Sequence, residues 1–149
     1  MDDFYKDKIV YSEIVQDSQF YLDNSSLKDI QNVFFPEATC FIMTGKHLIF
    51  LIALLNSKFL TKIFKLFYAG GGLGGNGFRY KKAFLENLPI FSIEKISNSQ
   101  YNKIIELANS IILSMENSKN FNKEQKDLDN LIYQMYDLSN EEIDFIEKN

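Results

Sequence analysis

The residues best suited to chemistry lie between Gly70 and Lys82. Five glycines fall within Gly70–Gly75, and the segment after Gly77 alternates aromatic and basic side chains, FRYKK. A glycine backbone can approach a large flat partner closely. Aromatic side chains stack on bases and basic side chains hold phosphates. The pattern therefore predicts a loop that contacts nucleic acid.

A set of lysines is suited to phosphate contacts, which supply position and most of the salt-dependent affinity for DNA. Three of them recur at i, i+4 and i+7, so they share one face of a predicted helix. The other interpretation of this face is a solvated lysine stripe. The predicted phosphate-binding residues are Lys58, Lys62, Lys65, Lys81 and Lys82.

Two residues are suited to reading base edges. The planar fork of Arg79 can pair with the acceptors of guanine in the major groove, and the amide of Asn76 offers the donor and acceptor that adenine requires. The neighbouring glycines Gly74, Gly75 and Gly77 would let Asn76 reach a groove.

Phe78 and Tyr80 have two interpretations, stacking on bases or packing in the core. Alternation along a strand places both on one face and Arg79 and Lys81 on the other. Core packing is the favoured interpretation, and it would turn Arg79 outward.

Charge is strongly segregated along the chain. The 149 residues carry a net charge of −4, yet between Glu37 and Glu86 there are seven basic residues and no acidic one. Subtracting these seven positive charges leaves −11 on the rest. Such segregation steers an anionic partner to one surface of an otherwise acidic protein.

The sequence disfavours a disulfide, a metal site, a membrane-spanning segment and a signal peptide. A single cysteine, Cys40, and a single histidine, His47, make neither a disulfide nor a zinc ligand set, so we expect no metal. The longest apolar run, Leu48 to Leu55, is far below the roughly 20 residues that cross a bilayer. The beginning, MDDFYKDK, lacks the apolar segment of a signal peptide. We therefore expect a cytoplasmic protein without membrane association.

Sequence patterns predict strands in the first half and one long or bent helix from about Gly45 to about Phe67. That helix follows from apolar residues recurring at three and four positions, and their number indicates that it is largely buried. The predicted strands, rich in β-branched and aromatic residues, are Lys8–Val15, Phe20–Leu22, Thr39–Met43, Phe78–Tyr80 and Leu88–Phe91.

From Ser97 onward the pattern is helical. Two apolar stripes separated by Ser118–Asn122 predict an antiparallel helical hairpin, and Ser139 with Glu142 predicts a capping box.

The expected fold class is α+β: a small mixed or antiparallel sheet packed on the long buried helix, then the hairpin. Residues 1–92 would form a DNA target-recognition body and residues 93–149 a helical appendage of the same structural unit.

The order of motifs resembles a known family. The sequence KIVYSEIV near the start, LIALLNSKF at Leu51–Phe59, the glycine stretch, FRYKKAFLENLPI and the ending IYQMYDLSNEEIDFIE together resemble the TaqI-like C-terminal specificity domain. This is the target-recognition region of adenine-specific DNA methyltransferases and single-chain restriction-modification enzymes. The likeness extends from about Lys8 to about Glu147, with LLNS and FLENLPI its most characteristic pieces.

The resemblance implies recognition of a short double-stranded DNA sequence, while a methyltransferase domain, with or without a nuclease domain, does the chemistry. That class uses a [DNS]-P-P-[YFW] motif and binds S-adenosylmethionine. The prolines here, Pro36 in FFPE and Pro89 in NLPI, form no such motif. We therefore expect no catalytic residue and no cofactor in this chain, and S-adenosylmethionine in the associated methyltransferase domain.

Three other functions remain open. GGGLGGNG has spacing like a nucleotide-binding loop, although that fingerprint needs a strand before it and a helix after it. A basic amphipathic helix can lie on anionic lipid. The helical hairpin of Ser97–Tyr136 could also be a protein-docking module with no DNA contact of its own.

Overall fold

The computed structural model describes residues 6–12, 14–15, 20–23, 40–67, 78–79 and 86–148. Within these ranges the chain has five α-helices, a three-stranded antiparallel sheet and a two-stranded pair. The α+β class predicted from the sequence is confirmed. The chain divides into two compact units, one made of Met1–Leu48 and Phe64–Leu88, the other of Ile49–Ile63 and Pro89–Asn149.

The first unit contains the strands. β1 (Lys8–Ser12) lies between β3 (Phe20–Asp23) and β4 (Cys40–Met43) and is antiparallel to both. β2 (Ile14–Val15) instead pairs with β5 (Phe78–Arg79). The predicted strand Lys8–Val15 is therefore two strands with different partners. In β1 the consecutive residues Ile9, Val10 and Tyr11 are all buried, and since successive side chains point to opposite faces, both faces of this strand are covered.

The predicted strand at Leu88–Phe91 is wrong, because these residues form neither strand nor helix. Pro89 has no N–H for a sheet ladder. The N–H of Phe91 donates to the hydroxyl oxygen of Tyr136 at 2.9 Å, and that hydroxyl donates to the carbonyl oxygen of Pro89. A tyrosine side chain therefore takes the place of a neighbouring strand.

The segment predicted as one long helix is two helices, α1 (Leu48–Leu55) and α2 (Lys58–Phe67). Ser57 separates them: its Oγ donates to the carbonyl oxygen of Leu54 at 2.6 Å and accepts the N–H of Leu60 at 3.2 Å. One hydroxyl thus ends α1 and caps the start of α2. The helix also begins later than predicted, because Gly45 and His47 have φ values of 140° and 59°, which are not helical.

The second unit is a helical hairpin with additional helical segments around one core. α3 (Asn98–Glu116) and α4 (Asn122–Met135) pack together across a short connection, and α5 (Asn140–Glu147) follows. The predicted hairpin is confirmed, as is the capping box of Ser139 and Glu142, in which each side chain bonds the other residue's N–H. The core side chains come from both parts of the unit, with Phe50, Leu54, Phe59 and Leu60 joining Ile104, Ala108, Leu128, Ile132 and Tyr133.

The helical unit is therefore larger than the predicted appendage. Residues 49–63, predicted from the sequence to be part of the N-terminal body, belong to the helical unit. The physical reason is that α1 consists of LIFLIALL, without a polar side chain. A helix that is apolar on every face needs cover on every face, and the hairpin supplies apolar surface.

A buried ion pair joins β1 to β3. The Nζ of Lys8 lies 2.7 Å from Oδ2 of Asp23, its partner in the strand register, and the two side chains are 0% and 7% exposed. Removing one partner of such a pair leaves an uncompensated buried charge, which costs more than the pair itself contributes.

We expect Lys8→Met to lower the free energy of unfolding by about 3–5 kcal/mol and the double variant Lys8→Met/Asp23→Leu to recover most of that loss. Urea denaturation followed by circular dichroism measures both. Lys46→Met, at an exposed lysine of the same unit, is the control and should change the free energy by about 0.5 kcal/mol or less. A double variant less stable than Lys8→Met would contradict this account of the pair.

Candidate nucleic-acid interface

The structure describes five of the predicted DNA-contacting residues and leaves seven outside the described ranges. Lys58, Lys62 and Lys65 lie on α2, and Phe78 and Arg79 form β5. The predictions for the remaining residues concern positions that are not described, namely Gly74, Gly75, Asn76, Gly77, Tyr80, Lys81 and Lys82.

The backbone of β5 connects the basic segment to the N-terminal part of the chain. Arg79 is opposite Ile14 and Phe78 is opposite Val15 in an antiparallel pair. Strand pairing fixes the backbone through hydrogen bonds between main-chain groups. The two residues that begin the sequence FRYKK are thus held by a sheet partner more than sixty positions earlier.

Lys58 has an acidic partner within the helical unit. Its Nζ donates to Oε2 of Glu147 on α5 at 2.8 Å, and the hydroxyl of Tyr133 donates to Oε1 of the same carboxylate at 2.7 Å. These hydrogen bonds, the one from Lys58 first, lower the pKa of Glu147, and the bond to Glu147 raises the pKa of Lys58. A phosphate that binds Lys58 must compete with this carboxylate.

Lys62, one turn along α2, also meets α5. Its Nζ lies 4.7 Å from the centroid of the Phe145 ring, within the range of a cation–π contact. The next lysine, Lys65, is exposed in the last turn of α2, where a positive charge complements the helix dipole. The i, i+4 spacing thus brings Lys58 and Lys62 together on a face that α5 contacts.

A polar group at the start of α2 was not predicted from the sequence. Asp129 on α4 is buried, and its Oδ1 accepts the N–H of Lys58 at 3.1 Å and the amide of Gln125 at 3.3 Å. Burial raises the pKa of Asp129 to about 6, although hydrogen bonds from Lys58 and Gln125 oppose this shift. The available signal was its position: Asp129 lies one residue after Leu128 and three before Ile132, on the apolar face of α4.

The described residues hold no cluster of three or more histidine, cysteine or acidic side chains able to bind a metal ion. Across the same part of the chain, no helix is both long and apolar enough to cross a membrane.

No protein-family model matches the sequence, and comparison with curated proteins finds no match. The resemblance to TaqI-like specificity domains therefore stays a prediction.

We expect the Lys58–Glu147 contact to be weak, since exposed ion pairs contribute about 0.2–1 kcal/mol. The two side chains are 56% and 39% exposed. A double-mutant cycle with Lys58→Ala and Glu147→Gln, read from urea denaturation, measures the coupling free energy.

The exposed pair Lys103–Glu106, with Nζ and Oε1 3.9 Å apart, is a matched control for which we expect a smaller coupling. A coupling free energy above about 2 kcal/mol at Lys58–Glu147 would mean that the pair stabilises the fold strongly and that a phosphate does not displace Glu147 from Lys58.

Proposed function

We propose that this chain binds double-stranded DNA through residues 65–82 and is the specificity domain of an adenine-N6 DNA methyltransferase of a restriction-modification system. The observation that carries the proposal is the charge pattern, with seven basic and no acidic residues between Glu37 and Glu86. Because DNA affinity arises mainly from phosphate neutralisation, an acid-free stretch within an acidic chain favours a local DNA contact.

The predicted phosphate-binding lysines are divided into two groups in this proposal by their distance in sequence from the base-reading residues. Lys58 and Lys62 interact with Glu147 and Phe145 of α5, so they are secondary phosphate ligands at most. The main phosphate contacts are assigned to Lys65, Lys81 and Lys82, because they are the predicted phosphate ligands nearest in sequence to Asn76 and Arg79. Restricting the interface in this way keeps it within residues 65–82.

Sequence choice is assigned to Arg79 and Asn76. The pairing of β5 with β2 supports this assignment for Arg79, because a strand held by main-chain hydrogen bonds offers a base-reading side chain a defined starting point. Guanine is the base that an arginine fork reads best, and adenine is the base that an asparagine amide reads best.

In this proposal catalysis belongs to a partner domain. A methyltransferase domain, with or without a nuclease domain, would bind S-adenosylmethionine and modify the adenine, while this chain selects the site. The absence of a [DNS]-P-P-[YFW] motif from the sequence is consistent with that division.

A docking role for the helical unit is the second candidate. Leu113, Met115 and Phe145 are exposed large apolar side chains in this unit. By contrast, Ile104 and Ile111 of α3 are buried in the core of the unit and are not available to a partner. A specificity domain must attach to its catalytic domain, so docking is compatible with DNA binding.

Fluorescence anisotropy with a labelled duplex of mixed sequence, measured from 50 to 300 mM NaCl, tests the DNA proposal. We expect log K to fall linearly with log salt, with a slope of about −0.9 per phosphate neutralised. Lys81→Glu/Lys82→Glu should weaken binding by about tenfold or more at the lowest salt concentration, because two phosphate contacts become repulsive.

The matched control is Lys123→Glu/Lys126→Glu, which makes the same charge change on exposed positions of α4. It should weaken binding much less. Equal losses in the two variants would show that only the net charge matters, and no binding at 50 mM NaCl would refute DNA recognition by this chain.

A further inference from the structure

At the joint between α1 and α2, residues 56–58, one backbone N–H donates to the carboxylate of a residue far away in the sequence, Asp129. Asp129 is 2% exposed, and its Oδ1 accepts the N–H of Lys58, which is 71 residues away and is the first residue of α2. The first N–H groups of a helix lack partners within the helix. Asp129 therefore satisfies one donor at the start of α2, while Ser57 satisfies another.

The second oxygen of this carboxylate, Oδ2, differs from Oδ1 in its hydrogen bonding. Oδ2 of Asp129 is buried and has no hydrogen-bond partner in the described part of the structure. A buried ionised carboxylate with one unsatisfied oxygen is costly. Placing a proton on Oδ2 removes the charge and leaves Oδ1 free to keep accepting the N–H of Lys58.

The charged and titratable groups that face Asp129 do not offset the free-energy cost of its ionised form. Lys58 of α2 attracts its charge, but the Lys58 ammonium is bonded to Glu147, and Glu147 of α5 repels it. On α4 itself, Gln125 donates one neutral hydrogen bond, and the Tyr133 hydroxyl donates to Glu147. Burial also raises the pKa of Tyr133, so this hydroxyl stays protonated and neutral beside Asp129.

We propose that Asp129 is a proton-dependent latch in the helical unit: its protonated form holds the start of α2 closed against α4, and its ionised form favours opening of that joint to water. α2 is the helix through which the chain passes from the second unit to the first at Ile63 and Phe64. The latch therefore lies at the start of the helix that leads along the chain to the proposed DNA-contacting residues.

The direction of the pH dependence follows from linkage. Asp129 has a pKa of about 6 in the closed joint, against 3.8 for the ordinary group, so the closed joint binds a proton that the opened, hydrated joint releases. The closed state is favoured most below pH 4 and is progressively lost as the pH rises through 6. Between pH 5 and pH 7.5 the opening equilibrium should rise by about tenfold.

Amide hydrogen exchange of the intact chain, followed by NMR and corrected for the intrinsic effect of pH, measures this opening. The informative amides are those of Lys58, Leu60 and Thr61, which bond to Asp129 Oδ1, Ser57 Oγ and the Ser57 carbonyl oxygen. We expect their opening constants to rise about tenfold from pH 5 to pH 7.5, and to exceed that of the core residue Ile104 in α3, because the joint opens without unfolding of the unit.

Asp129→Asn should remove the pH dependence, since the amide keeps an acceptor for Lys58 but cannot ionise. Asp127→Asn, at an exposed position of the same helix, should retain it. Flat opening constants in the unmodified chain, a dependence that persists in Asp129→Asn, or opening constants at Lys58, Leu60 and Thr61 no larger than that of Ile104 would each overturn the latch. If Asp129→Asn fails to fold, carboxyl carbon shifts in the unmodified chain decide: a titration midpoint near 6 supports the proposal, and one near 4 overturns it.

Discussion

Burial of α1 is the constraint on which the architecture depends. Its eight residues include no polar side chain, so the free energy of folding favours covering the helix on all faces. This requirement accounts for the membership of residues 49–63 in the helical unit, although they are separated in sequence from residues 89–149. It also means that the polar residues after α1, Asn56 and Ser57, must satisfy the backbone where the helix ends. Ser57 does so with one hydroxyl that serves two helices.

The same arrangement divides the lysines of α2 between the two units. Lys58 and Lys62 lie on the part of α2 that packs in the helical unit, and both contact α5. Lys65 lies in the part assigned to the first unit, which also contains β5 and the basic sequence FRYKK that begins with it. A single lysine stripe in the sequence thus extends from the helical unit into the proposed DNA-binding segment of the first unit. Spacing alone cannot distinguish them, because all three share one helix face.

The fold was predictable where local signals act alone, and less so where distant contacts decide. The helical hairpin and the capping box of Ser139 and Glu142 follow from periodicity and from hydrogen bonds within four residues. The coil at Leu88–Phe91 depends on Tyr136, which is 45 residues from Phe91 in its hydrogen bond, and the N–H of Lys58 at the start of α2 donates to Asp129, 71 residues away. The break at Ser57 is local, but a serine within an apolar helical pattern does not by itself identify a helix end. For the candidate site, the sequence identified the lysines of α2 but not their partners on α5, since nothing in α2 specifies which helix packs on it.

The central claim, that residues 65–82 contact DNA, is tested most directly by titrating the isotope-labelled chain with a mixed-sequence duplex and recording amide chemical shifts. We predict that the largest shift changes fall on Lys65, on Phe78 and Arg79 of β5, and on the other residues of the sequence FRYKK. Amides of α3 and α4 should change least. Changes confined to α3, α4 and α5, or no changes at low salt, would contradict it.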